Sequence, residues 1–516
     1  MALIVETTTG KVEGLEKDGL RIFLGIPFAA PPIGDRRWLP PEPVKPWTGV
    51  KETKSFVATA PQVITPIDES SPFQVSPTVD TSLGIQPPIN EDCLHLNIWT
   101  PATDDAHRPV MVWIHGGAFT VGTSASPLSN GGVLARRGDV VVVTINYRVN
   151  IFGFLRLKDI TNGRIPSIGN EGILDQVAAL KWVRDNIEAF GGDPGNVTVF
   201  GLSAGGASIT ALFAIKTAKG LFHKAISQSG SAHFLNDLNE ANLYAEHFLN
   251  ILGVNGSDVN TLRTLTMKQL LENYTKTLPV PKGVRLPMVV TDGEIIPEMP
   301  IGSIKAGSAD GIPLIAGTTA DEWRRWQAVD PAIENLDEGR MFGRFRRMMP
   351  DWDMVDTAKA YREVLTRRGI VATPAEIYMA IMTARMFWIP TTRTLEAQGR
   401  RGNPVYSYIF TWKAPFRGGM FGAFHGIDSG FLWGNYHPGI VGSSPAVNAL
   451  SRNMQDAWLA FAHTGDPSIE GLGKWPVYGE RRKTMLLGEQ CSIQDAPLEE
   501  DRHIWDSAPD SSFKWG

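Results

Sequence analysis

The chain has 516 residues, 43% of them hydrophobic and 20% charged, and a formal net charge of -5. This composition is typical of a globular protein with a large core and excludes disordered and fibrous classes. The charge balance lacks the basic excess that binding to a phosphate backbone requires, so we expect no nucleic-acid partner. With only Cys93 and Cys491 as cysteines, we also expect no disulfide framework.

The N-terminal stretch 1–10 alternates like a strand and has neither a basic leader nor an apolar segment. It therefore predicts no export signal. No run of about 18 apolar residues occurs, so we expect no transmembrane helix and no membrane partner. Together with the cysteine count, these features favour a cytoplasmic protein.

The first hundred residues predict an entry meander followed by extended chain. Residues 3–28 alternate and turn at glycines, which indicates short antiparallel strands. Prolines dominate residues 31–46, so this stretch should run extended across a surface. Residues 62–90 lack periodicity and are rich in Pro, Ser and Thr, which predicts a long loop at the rim of the functional site.

From residue 94 onward, strand patterns alternate with helical ones. Apolar residues spaced three or four apart over 172–190 predict an amphipathic helix. The predicted strands are 94–99, 110–114, 140–146, 197–200, 225–228, 313–317 and 405–412. This order predicts an α/β fold with a mostly parallel sheet. We expect one domain over residues 1–516, with a helical cap around 339–394.

A β-branched and aromatic run, residues 197–200, stops at Gly201, presents Ser203 and resumes with Ala204 and Gly205. This pattern predicts a nucleophile elbow, because a strained strand-to-helix turn with flanking glycines exposes the serine hydroxyl at the top of a sheet. The amide of Ala204, at the start of the following helix, would face an oxyanion formed beside the serine. Alone, the pattern also fits an ordinary glycine-rich turn.

A second glycine-rich stretch supports the elbow. His115, Gly116, Gly117 and Ala118 follow a predicted buried strand, and small residues there let backbone amides approach a substrate. We therefore predict an oxyanion hole formed by the N–H groups of Gly117, Ala118 and Ala204. The two motifs together are far more specific than either one alone.

Four segments of the chain recur together in one family: residues 91–94, 146–148, 190–194 and 201–205. With them the chain resembles the type-B carboxylesterases, α/β-hydrolases that include bacterial p-nitrobenzyl esterases and the cholinesterases. The likeness runs from residue 25 to residue 476. It implies an α/β-hydrolase fold, a large sheet flanked by helices, a serine esterase activity and no metal or organic cofactor.

The resemblance also supplies a base and an acid for the serine. The family places its catalytic histidine in a segment that matches His425, and His115 is the main rival in the sequence. The family acid matches Glu322, just after the predicted strand 313–317 and between serine and histidine in chain order. Asp321 is the second candidate for the acid and Asp428 the third.

Other polar residues receive supporting roles from the same resemblance. It implies two buried ion pairs, Arg37 with Glu91 and Arg148 with Asp175, which would organise loops under the site. Ser229 matches a family serine that hydrogen-bonds near the catalytic histidine. We therefore expect Ser229 to support the catalytic groups and not to act as a nucleophile.

The chain departs from the family at two places that bear on substrate choice. Leu202 precedes the nucleophile where many members carry glutamate, and the loop before Glu91 lacks the tryptophan on which cholinesterases stack quaternary ammonium. A cholinesterase activity is therefore a poor prediction. After Glu322 the family usually has glycine, whereas this chain continues with Trp323, Arg324, Arg325 and Trp326. We therefore expect an unusual rim around the site.

The sequence as a whole predicts a serine carboxylesterase for neutral, moderately hydrophobic small-molecule esters, acting through an acyl-serine intermediate. Ser203 would attack, His425 would move the proton and Glu322 would orient the imidazole. The same machinery would serve a carbamate or amide hydrolase, and Arg324 or Arg325 would favour an ester that bears a carboxylate. A non-enzymatic adhesion relative is disfavoured, because all three catalytic residues are present.

Overall fold

The computed structural model describes residues 2–63, 87–126, 129–349 and 352–514. Most of the loop predicted at residues 62–90 therefore lies outside the described residues. Within the described ranges, no helix combines the length and the apolar character needed to cross a bilayer.

The strands of the described residues join into a single mixed sheet. In chain order they are β1 (Leu3–Thr7), β2 (Gly10–Lys17), β3 (Leu20–Pro27), β4 (Val50–Glu52), β5 (His95–Thr100), β6 (Arg108–Ile114), β7 (Val141–Ile145), β8 (Gly192–Leu202), β9 (Lys224–Gln228), β10 (Leu314–Thr319), β11 (Val405–Phe410), β12 (Thr484–Leu487) and β13 (Ser492–Gln494).

Across the sheet the strands follow the order β1-β2-β3-β5-β7-β6-β8-β9-β10-β11-β12-β13, and β4 pairs with β2. Every neighbouring pair from β7 to β12 is parallel, whereas β1, β2, β3, β5 and β13 join through antiparallel pairs. This arrangement confirms the predicted α/β-hydrolase fold with its mostly parallel sheet.

Helices lie on both faces of the sheet and make up the region predicted as a cap. They are α1 (Gly132–Gly138), α2 (Asn150–Gly153), α3 (Glu171–Asn186), α4 (Ala204–Ala214), α5 (Leu238–Leu252), α6 (Val259–Thr264), α7 (Met267–Lys276), α8 (Pro300–Lys305), α9 (Glu338–Met348), α10 (Met354–Arg367), α11 (Pro374–Thr383), α12 (Ile389–Arg400), α13 (Ile427–Leu432), α14 (Pro438–Val441), α15 (Pro445–Thr464) and α16 (Glu499–Ile504).

The hydrophobic core lies on both faces of the sheet, as the valine run 140–143 illustrates. All four valines are fully buried. Because side chains alternate along a strand, Val141 and Val143 join the cluster on one face and Val140 and Val142 the cluster on the other. The four consecutive valines are therefore the mark of a strand with helices on both sides, as predicted.

The helix predicted at 172–190 ends earlier as an α-helix than the pattern suggests. Helix α3 stops at Asn186, and residues Ile187–Phe190 tighten into a 3₁₀ turn before Gly191 adopts a φ of +81°. Such a tightening is common at helix C-termini, and apolar spacing does not distinguish it from a further α turn. Strand β8 follows at once and leads to the elbow.

The stretch predicted as a helical cap contains α9, α10, α11 and the first half of α12. Helices α11 and α12 form one continuous rod interrupted by a π turn at Ala384–Trp388. Pro390 follows that turn and has no N–H to donate, which accounts for the irregular hydrogen bonding there. The rod ends before β11, the strand that leads to His425.

Candidate active site

Ser203 occupies the turn between β8 and α4 and has a φ of +59°. The glycines beside it are required by the close approach of neighbouring backbone. A Cβ added to Gly201 would lie 2.7 Å from the carbonyl oxygen of Ile114, and one added to Gly205 only 2.0 Å from that atom. The strained turn is therefore built as the sequence pattern predicts.

The loop after β6 runs along the other side of the serine. Gly117, Ala118 and Phe119 have successive φ values of +114°, +53° and +59°. Ala118 and Ala204 line a cavity together with Ser203, and the amide of Ala204 opens helix α4, where the first N–H groups have no intrahelical acceptor. Two of the three predicted oxyanion donors thus belong to residues that line one cavity with the serine.

His115 supports this loop from below. Its ring stacks on Tyr147 with centroids 4.2 Å apart, and its Nδ1 lies 2.9 Å from the carbonyl oxygen of Gly116. The hydroxyl of Tyr147 donates to the carbonyl of His115 at 2.8 Å. Burial lowers the pKa of His115 to about 4, so the ring is neutral at pH 7. These contacts explain His115 as a structural residue.

His425 and Glu322 meet in the structure. Nδ1 of His425 lies 2.5 Å from Oε2 of Glu322, which is fully buried. The other carboxylate oxygen accepts hydrogen bonds from the hydroxyl of Ser229 at 2.5 Å and from the amide of Thr319 at 2.8 Å. A carboxylate fixed at both oxygens holds the imidazole in one orientation and leaves Nε2 for the reaction.

The two rival carboxylates have other partners. Asp321 binds the backbone of Ala423, accepting its amide at 2.9 Å and donating its own amide to the Ala423 carbonyl at 3.0 Å. Asp428 is buried and accepts hydrogen bonds from Gln228 Nε2 and the Tyr408 hydroxyl, both at 3.0 Å. Burial raises the pKa of Asp428. Asp321 therefore anchors the loop that carries His425, and Asp428 secures the helix that follows it.

Gln228 joins these groups and was not singled out as a site residue from the sequence. Its backbone carbonyl accepts a hydrogen bond from the amide of Ser203 at 2.8 Å, while its side chain donates a hydrogen bond to Asp428. The signal was its position at the end of β9, directly before Ser229. Parallel neighbouring strands end at the same edge of the sheet, so β8, β9 and β10 bring these residues together.

Aromatic rings enclose the imidazole of His425. Phe387 lies 4.8 Å away and Trp326 lies 5.4 Å away, between ring centroids. Trp326 in turn stacks on Trp323 at 4.3 Å with nearly parallel planes. The π turn carries Phe387, and the 3₁₀ turn Glu322–Ala328 carries both tryptophans. Sequence reasoning missed Phe387, because the irregular turn that positions it has no clear apolar period.

An apolar cavity opens beside the serine. Its lining beyond Ser203 consists of Ala118, Phe119, Ala204, Phe234 and Met288. None of the described residues in this lining has an ionisable side chain, so this part of the cavity suits an uncharged group.

Both predicted buried ion pairs are present. Arg37 binds Glu91 through two hydrogen bonds of 2.6 and 2.5 Å, and Arg148 binds Asp175 through two of 2.8 and 2.7 Å. Arg37 also donates to the carbonyl of Leu265 at 2.7 Å and thereby ties a distant loop to the site. Such pairs are costly to break, because a lone charge would remain buried.

The two rim arginines point to different surroundings. Arg324 binds Glu376 at 2.6 Å and Asp321 at 3.3 Å, on the outer side of the turn. Arg325 donates from Nη1 to the carbonyl oxygen of His425 at 3.3 Å. Among the described contacts of the two arginines, the one with His425 is made by Arg325.

Among the described residues, no group of three or more His, Cys, Asp and Glu side chains is arranged to hold a metal ion.

Comparison with known proteins agrees with this geometry. The model of the carboxylesterase family matches residues 1–505. The chain belongs to the carboxylesterase family. It is 37% identical to the para-nitrobenzyl esterase of Bacillus subtilis over 97% of both chains, and 33% identical to the phenmedipham hydrolase of Pseudarthrobacter oxydans over 97% of this chain and 98% of that one.

A solved carboxylesterase from Geobacillus stearothermophilus superimposes with a TM-score of 0.86 at 37% identity. The match covers 98% of this chain and 100% of the other. Membership in the carboxylesterase family confirms the predicted family, the fold and the class of enzyme, a serine hydrolase of carboxylic esters. The substrates of the protein are small-molecule esters.

Proposed function

We propose that the protein hydrolyses neutral, moderately hydrophobic carboxylic esters through an acyl intermediate on Ser203, with His425 as base and then acid and Glu322 as its orienting partner. The observation that carries this proposal is the 2.5 Å contact between Glu322 Oε2 and His425 Nδ1. It fixes the tautomer in which Nε2 accepts a proton from a serine.

In the first half of the reaction, the Ser203 oxygen attacks the ester carbonyl carbon and its proton passes to Nε2 of His425. The carbonyl oxygen becomes an oxyanion, stabilised by the N–H groups of Gly117, Ala118 and Ala204. As the tetrahedral intermediate collapses, the bond to the alcohol oxygen breaks and His425 gives that oxygen its proton. An acyl-serine and a free alcohol result.

In the second half, water replaces the alcohol. His425 accepts a proton from the water, whose oxygen attacks the acyl-serine, and the same oxyanion site stabilises the second intermediate. Collapse returns the proton to the Ser203 oxygen and releases the carboxylic acid. Glu322 stays ionised throughout and stabilises the imidazolium that forms twice in each cycle.

The proposed preference for neutral acyl groups rests on the cavity beside the nucleophile. Phe119, Phe234 and Met288 offer it apolar surface, and Met adapts to groups of different shape. A charged acyl group there would lose its hydration without gaining a partner among these lining residues. Carbamates and amides present the same carbonyl, and their leaving groups decide whether this machinery turns them over.

A panel of matched substrates tests the proposal: p-nitrophenyl esters from acetate to decanoate, a p-nitrophenyl carbamate and a p-nitroanilide. We expect kcat/KM to peak at an intermediate acyl length and the ester to exceed both the carbamate and the anilide. A carbamate or anilide that exceeds the matched ester would replace the esterase assignment with the corresponding hydrolase. Activity in Ser203→Ala equal to that of the unaltered protein would refute the mechanism.

A further inference from the structure

The turn Glu322–Ala328 brings one cation to the catalytic histidine. Arg325 donates from Nη1 to the backbone carbonyl of His425, and its side chain is half-buried. Burial lowers the pKa of Arg325, and the negative charge of the nearby Glu322 carboxylate offsets only part of this effect. A guanidinium stays charged in proteins. A partly dehydrated positive charge therefore lies against the backbone of His425, the residue that carries the reacting imidazole.

The surroundings of Arg325 show which part of a substrate it faces. A Cβ added to Gly426 would lie 3.5 Å from Cδ2 of Leu202 and 3.8 Å from Nη1 of Arg325. Leu202 and Arg325 therefore meet at Gly426, next to His425 in the chain. An aliphatic group and a cation thus lie side by side, and Leu202 stands where many carboxylesterases carry a glutamate before the nucleophile.

The mechanism assigns the two sides of the site. His425 must reach the leaving oxygen to protonate it, so the alcohol part of the ester lies on the side of the imidazole. Phe119, Phe234 and Met288 instead line the small apolar cavity beside Ser203 and the oxyanion donors Ala118 and Ala204, and would face the acyl part. Arg325, which binds the backbone of His425, belongs to the alcohol side.

We propose that Arg325 is a specificity-determining residue that binds a carboxylate on the alcohol part of the ester. The inference rests on the proposed esterase function and modifies one part of it: the acyl part stays neutral and hydrophobic, whereas an alcohol part that bears an anion is favoured over a neutral one. A guanidinium matches the two oxygens of a carboxylate. A carboxylate offers the guanidinium two parallel hydrogen bonds and an opposite charge, so it competes well against a single neutral acceptor such as the His425 carbonyl.

Two substrate pairs locate the charge. In the alcohol pair, 4-butanoyloxybenzoate carries a carboxylate on its leaving group, and methyl 4-butanoyloxybenzoate is its neutral counterpart. In the acyl pair, monobutyl succinate carries the carboxylate on the acyl group, and butyl pentanoate is its neutral counterpart. For each pair the measured quantity is the ratio of kcat/KM for the anionic ester to that for the neutral one, compared between variants so that intrinsic reactivity cancels.

The variants are Arg325→Gln, Arg325→Lys and the control Arg324→Gln, which removes the same charge one residue away. We expect the alcohol-pair ratio to fall about tenfold in Arg325→Gln and less in Arg325→Lys, because lysine keeps the charge but not the paired hydrogen bonds. Arg324→Gln should keep the ratio of the unaltered protein. The ratio of the unaltered protein should also fall as salt is raised.

An unchanged alcohol-pair ratio in Arg325→Gln would overturn the inference, as would an equal fall in Arg324→Gln. A fall confined to the acyl pair would overturn the assignment to the alcohol side. The proposed function is tested separately by p-nitrophenyl butanoate: if the unaltered protein fails to hydrolyse it, the esterase proposal fails, whereas turnover of it with unchanged ratios refutes the role of Arg325 alone.

Discussion

The elbow around Ser203 and the turn Glu322–Ala328 both carry a catalytic candidate, but different forces shape them. At the elbow, the backbone leaves no room: a Cβ on Gly201 or Gly205 would collide with the carbonyl of Ile114. The turn is shaped by side chains, with Trp323 stacked on Trp326 and the two arginines bound to different partners.

This difference explains where substrate choice can vary in the carboxylesterase fold. A backbone-limited turn accepts few residues, so it keeps one chemistry and one sequence pattern. A turn held by side chains accepts many sequences, provided that the buried carboxylate of Glu322 keeps its position. Under the proposed mechanism, the elbow would set the reaction and the rim would set the selectivity.

The largest effect is expected at the elbow. Ser203→Ala should lower kcat by about 10⁶-fold, because loss of the nucleophile alone disables a triad. The fold should persist, since only one hydroxyl is lost. Kinetics with p-nitrophenyl butanoate and a thermal melt measure both. Retention of more than about a thousandth of the original kcat would show that another group attacks.

The turn should show a sharp contrast between neighbouring carboxylates. Glu322→Gln should lower kcat about 10⁴-fold, since an amide cannot hold His425 in the required tautomer. Asp321→Asn should cost less than about tenfold, because Asp321 binds the backbone of Ala423 and not the imidazole. Equal losses in the two variants, or a greater loss at Asp321, would reassign the acid.

A pair of glycine substitutions tests the backbone limit itself. Gly205→Ala should lower Tm by about 1 to 3 °C, because its Cβ would lie 2.0 Å from a carbonyl oxygen. Gly343→Ala is the control: this glycine lies in helix α9 with no heavy atom within 4 Å of the added Cβ. Alanine there should keep or raise Tm. Equal Tm shifts in the two variants would contradict a special constraint at the elbow.

The smallest effect concerns cationic esters. Butyrylcholine and its neutral isostere, 3,3-dimethylbutyl butanoate, should differ in kcat/KM by less than about threefold, with the neutral ester favoured. Leu202 supplies no charge to a quaternary ammonium, and Arg325 would repel one. A clear preference for butyrylcholine, measured at low salt, would show that cation-binding groups line the alcohol side after all.

Much of the fold could be predicted because strand and helix patterns are strong where burial is complete. The valine run 140–143 and the apolar spacing of 172–190 are examples, although the latter does not show that the last turn is 3₁₀. At the site, Ser203, Glu322 and His425 were predicted from motifs and a family resemblance. The structure joins Glu322 to His425 and places Ser203 at the elbow, and the catalytic roles of the three residues are proposals.

The rest depended on contacts that no local pattern encodes. Phe387 reaches His425 through a π turn, and Gln228 links Ser203 to Asp428 across neighbouring strands. The separation of Arg324 from Arg325 likewise follows from their partners in space, since the two are adjacent and identical in the sequence. Such long-range contacts appear only when the chain is folded.

The central claim is that Ser203 carries the acyl group, and covalent labelling tests it most directly. The protein is treated with a p-nitrophenyl phosphonate, and the modified residue is located by peptide mass mapping. We predict a single added phosphonyl group on the peptide that contains Ser203, with no labelling in Ser203→Ala and slow labelling in His425→Ala. A label on Ser229 or on any other residue, or stoichiometric labelling of Ser203→Ala, would contradict the account.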